Sequence, residues 1–190
     1  MRAFIKSNLR QTGKRFILFT SGVAALICLT SSVLAYRIAP TLLTPENQQK
    51  IELAAWKYAI DTPLLLETID WFHDLARNSQ ESAALAELAR LKFMRAQLEL
   101  DKYHRIQLFE HSIAMADQAL MLNDNDVRGL FWKAVAMGKI AEDSGMLDAL
   151  RILQPMQDLL LREVELDERD ENACAHGALG RIYHTLRRFP

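Results

Sequence analysis

The chain has 190 residues, half of them hydrophobic and a quarter charged, which fits one folded domain with a sizeable core and excludes a disordered polymer. Glycine and proline number only 7 and 5, so frequent β-turns are excluded and helices are favoured over sheets. The net charge of -1 is unevenly distributed: five of the 23 basic residues (Arg2, Lys6, Arg10, Lys14 and Arg15) fall in the first fifteen positions with no acid among them. The remaining chain then carries 18 basic against 24 acidic residues, a balance that excludes a nucleic-acid footprint.

Residues 1–15 therefore read as a basic cytoplasmic segment. Residues 16–36, from Phe16 to Tyr36, hold no charge at all. As a helix they would extend roughly 30 Å, the thickness of a bilayer's hydrocarbon core. The leading basic cluster stays inside by charge, so the segment reads as a signal anchor with everything after it across the membrane, periplasmic in a bacterium. A cleaved signal peptide is the alternative, with Val33-Leu34-Ala35 as the cleavage stretch, but the uncharged run exceeds an ordinary signal core. An organelle outer-membrane anchor, with the body in the cytosol, also remains open. A lipid anchor on Cys28 fails because Ile27 stands where a small residue is needed. Cys174, the second of the two cysteines, has no disulfide partner in the folded part and reads as a small core residue.

Residues 37–45 form a linker punctuated by Pro40 and Pro45, and residues 46–190 form a helical domain. Thr44-Pro45-Glu46 reads as a cap with proline in the first turn, opening a helix that runs to about Asp61 with Ile51, Ala54, Ala55, Tyr58 and Ala59 on one face. Thr62-Pro63 restarts the pattern, Asn78-Ser79 breaks it, and Ser82 opens a third helix through Leu98. Further helices are predicted over Tyr103–Leu122, Val127–Glu142, Leu147–Leu166 and Ala173–Arg187, with a kink at Pro155. Short polar joints imply antiparallel neighbours. The fold class is thus all-α, a transmembrane helix followed by antiparallel helical hairpins.

A repeat shows at an offset of 44: Leu120 to Asp126 aligns with Val164 to Asp170, and Trp132 to Ala136 with His176 to Gly180. In each copy an alternating leucine motif ends one helix, an acidic turn follows, and the next helix has small residues at its centre, as stacked helix pairs require. The run Ala119 to Asp126 resembles the end of a tetratricopeptide repeat, with Asp124 where that family usually has proline. Phe131 to Gly138, Leu166 to Asp170 and Gly177 to Tyr183 resemble helices of the regulator of microtubule dynamics family, and the helical style is similar to the T-component proteins of TRAP transporters. The resemblance covers about residues 82–190. It implies a tetratricopeptide-like α-solenoid that binds a partner, either as a membrane-anchored scaffold for protein–protein interaction or, as the alternative, as a periplasmic solute-binding accessory of a transporter. Members of these families continue beyond the equivalent of Pro190, so the seventh helix is expected to lack its hairpin partner and to offer an apolar face to the preceding hairpin, a second copy or a partner.

No catalytic set is legible. His104 and His111 are seven apart with no third ligand at helical spacing, Cys174 and His176 lack an orienting group, and no phosphate loop or nucleophile elbow occurs. The acids Asp124, Asp126, Asp167, Glu168, Asp170 and Glu171 read as turns and caps, not a calcium loop. The expectation is no enzyme, no metal and no cofactor. Among the aromatics, Trp56, Trp71, Phe72, Phe131 and Trp132 lie on apolar helix faces and read mostly as core, or as anchors where they line a groove. Phe131, Trp132 and Tyr183, with His176, lie in the family-like stretch and are the candidate partner-binding or ligand-binding residues.

Overall fold

In a computed structural model of the chain, residues 41–166 and 174–186 are described. The chain divides into two units, Met1–Thr41 and Leu42–Pro190. The basic segment, the uncharged 16–36 stretch and residues 37–40 of the linker lie outside the described residues. Among the described residues no helix is long and apolar enough to cross a membrane.

The second unit is all-helical, with seven helices and no strand among the described residues: α1 (Pro45–Lys57), α2 (Thr62–Ala76), α3 (Ser82–Gln97), α4 (Lys102–Leu122), α5 (Val127–Asp143), α6 (Met146–Leu166) and α7 (Cys174–Leu186). Caps set several starts. Thr44 Oγ1 accepts the Asn47 N–H at 3.2 Å with Pro45 in the first turn, as expected from the sequence. Asp61 accepts from Leu64, Asp101 from His104, and Asp126 from Gly129 at 2.9 Å. The acidic turn before α5 therefore does cap a helix, while Asp124 holds Arg162 of α6 at 3.0 Å; Asp167 to Glu171 lie outside the described residues. The first helix ends at Lys57, before the expected Asp61, because residues 58–60 turn toward the Asp61 cap of α2. The sixth runs undivided through Pro155, whose exposed position lets water reach the carbonyl left without its N–H donor.

Each helix packs on its neighbour in sequence, and α3 also packs directly on α5. α3 is consequently buried on nearly every side: Ala84, Leu85, Ala86, Glu87, Leu88, Ala89, Leu91, Phe93 and Ala96 are all inside. Its alanines let neighbours come close, and Ser112 of α4, fully buried, donates to the Ala89 carbonyl at 2.8 Å. Gly129 and Gly138 make the same allowance on α5, where a Cβ would sit 3.3 Å from Leu120 and 2.9 Å from the Met156 sulfur.

Two expectations need correction. Trp56 is not core but 78% exposed. α1 buries Ile51, Ala54 and Ala55, and a residue five places after Ile51 lies about 140° around the helix from it. Cys174 is also exposed, because α7 buries Ala175, Leu179 and Ile182 instead. That apolar face of α7 is covered by the preceding hairpin, packing with Ala134 of α5 and Met156 and Leu160 of α6.

Candidate functional site

Short connections alternate the helix directions, so the C-terminal ends of α1, α3 and α5 gather at one end of the unit with the N-terminal end of α4. Between them lies a cleft of about 430 Å³, lined at its apolar floor by Phe109 and at its walls by Tyr58, Leu98, Arg105, Lys139 and Asp143, among others. Phe109 is almost wholly buried and stacks on Phe93, with ring centres 5.3 Å apart.

Arg105 organises the walls. Its Nε and Nη2 donate to the two carboxylate oxygens of Asp143 at 2.7 Å each, the bidentate geometry that guanidinium and carboxylate share. Its Nη1 donates to the carbonyls of Glu99 and Leu100 at 3.0 and 3.2 Å, which closes the α3–α4 turn against α5. The hydrogen bond from Arg105 holds the Asp143 carboxyl below its usual range, and the same bond raises the Arg105 pKa. Glu99 is likewise lowered, first by the N–H of Asp101. Lys139 pairs with Glu142, another lining residue, at 2.7 Å. With their cations and carboxylates matched, the walls present hydrogen-bonding surface and little net charge.

Of the six most exposed large apolar side chains among the described residues, Trp56, Ile60, Leu100, Tyr103 and Leu147 lie within four residues along the chain of a cleft-lining residue, though none of them lines the cleft; Met121 lies at the C-terminal end of α4. Ile60 is 82% and Leu100 93% exposed. At the C-terminal end of α4 the Leu42 N–H donates to Glu81 Oε2 at 2.7 Å and Leu42 packs by Ala76, Leu85 and Ala119.

The residues singled out from the sequence lie elsewhere. Trp132 is half-buried against Phe93, Ala96, Phe109 and Ala136, its ring 5.4 Å from that of Phe93. Phe131, edge-on to Trp132 at 5.0 Å, packs into the α5–α6–α7 core instead. Tyr183 is about half exposed and its hydroxyl accepts from Gln157 of α6 at 3.0 Å; His176 is exposed on the first turn of α7. The structure brings Phe131 and Trp132 together, puts Tyr183 and His176 on another helix, and none of the four lines the cleft. Sequence reasoning missed Leu100 and Ile60. The signal was an apolar residue in a short turn beside charge, Asp61 after Ile60 and Glu99 and Asp101 on either side of Leu100.

A second ionic group ties the helices laterally. Arg90 of α3 donates to Glu52 of α1 at 2.6 Å and to the buried Glu87 at 2.7 Å, and Arg128 of α5 reaches Glu87 at 2.8 Å. Burial lowers the Arg90 pKa, but the Glu87 charge and the Glu52 hydrogen bond outweigh it and the net shift is upward. No group of His, Cys, Asp and Glu among the described residues is arranged to hold a metal ion. Compared with known protein families, curated proteins and solved structures, the chain matches none.

Proposed function

We propose that the chain is a membrane-anchored, tetratricopeptide-like scaffold that binds a protein partner at the cleft end of its helical unit. The observation that carries this reading is the exposure of Trp56, Ile60, Leu100, Tyr103 and Leu147, each within four residues along the chain of a cleft-lining residue, because water-exposed apolar side chains gain from a partner's cover. The repeat reading draws support from α3, which packs on both α4 and α5 as a stacked-hairpin array requires, and from polar contacts that link residues 38 to 41 apart. The anchor reading draws support from the uncharged 16–36 segment behind its basic cluster. The alternative, a solute-binding transporter accessory, is less favoured: the cleft walls are mostly polar and charged, where an apolar solute wants an apolar chamber.

The test is a two-part experiment on the full chain in its native membrane. Resistance to alkaline extraction checks the anchor, and affinity capture with Ile60→Asp and Leu100→Asp as controls checks the binding end. A partner captured by the wild type and lost from both variants supports the reading. Recovery of the same proteins by wild type and variants overturns it.

A further inference from the structure

We draw no further inference here: the strongest candidate, the exposed apolar patch of Leu53, Trp56 and Ile60 along the outer side of α1 and the turn after it, is an unpartnered face, and nothing in the structure shows what covers it.

Discussion

Arg105 of α4 and Asp143 of α5 face each other through two hydrogen bonds of 2.7 Å, and the guanidinium spends its last donor on the turn that carries Leu100. One ion pair thus closes a wall of the cleft and sets the position of the most exposed leucine beside it. The carboxyl of Asp143 is held below its ordinary value by that bond, so it stabilises the fold while ionised and stops doing so as pH falls through its lowered pKa. Asp143→Asn should therefore melt below the wild type by the same margin across neutral pH. The margin should shrink once pH falls below the ordinary carboxylate value of about 4 and be lost as pH falls through the lowered pKa of Asp143. Thermal melts followed by circular dichroism at a series of pH values check this, and a margin independent of pH would contradict the role of the charge.

The lateral group Glu52–Arg90–Glu87–Arg128 predicts unequal variants. The Arg90 side chain is 14% exposed and satisfies two carboxylates, whereas that of Arg128 is 49% exposed and satisfies one. Arg90→Ala leaves buried Glu87 leaning on a single solvated partner and should cost about 2–4 kcal/mol. Arg128→Ala should cost about 1 kcal/mol or less. Urea unfolding of the two variants distinguishes them, and equal losses would mean that Glu87 draws its satisfaction elsewhere.

Much of this fold was legible in the residues, and for physical reasons. Ile51, Ala54 and Ala55 mark the buried face of α1 by spacing alone, and Thr44 and Asp126 announce helix starts because a side-chain oxygen there can accept an otherwise unpaired N–H. The same spacing already puts Trp56 on the far side of α1, so its exposure could have been read. The 44-residue offset aligns Ala134 and Ala136 with Ala178 and Gly180, yet the first pair is wholly buried while Ala178 is half-buried and Gly180 exposed. Among the described residues, α5 packs on α3, α4 and α6, whereas α7 rests mainly on α6. The cleft was not legible. Arg105 and Asp143 stand 38 residues apart and look like any surface charges, and only the register of α4 against α5 makes them a pair.

Close approach of α5 and α6 yields a coupled pair. A Cβ on Gly138 would meet the sulfur of Met156 at 2.9 Å, and Met156 is itself nearly buried in the α5–α6–α7 core. Gly138→Val should destabilise by about 1–3 kcal/mol through overpacking. Met156→Ala removes the obstruction and leaves a cavity, so the double variant should be more stable than the sum of the two losses allows. Chemical denaturation of the four forms closes the cycle, and strict additivity would show that the helices separate instead.

Trp132 and Tyr183 separate packing from recognition. Trp132 packs on the cluster of Phe93, Ala96, Phe109 and Ala136, with its ring against Phe93, which in turn meets the cleft-lining Phe109, so it supports the site without lining it. Trp132→Ala should cost about 2–4 kcal/mol, below the full price of a buried tryptophan because the ring is only half-buried. Tyr183→Phe gives up one exposed hydrogen bond to Gln157 and should change stability by about 0.5 kcal/mol or less. Equilibrium unfolding reads both. If Trp132 were an anchor for a partner with no structural duty, its variant would keep its stability and lose only binding. A half-buried ring packed on Phe93 of α3 must instead lose stability first, and any effect on binding should be recovered in Trp132→Phe, which keeps a ring against Phe93.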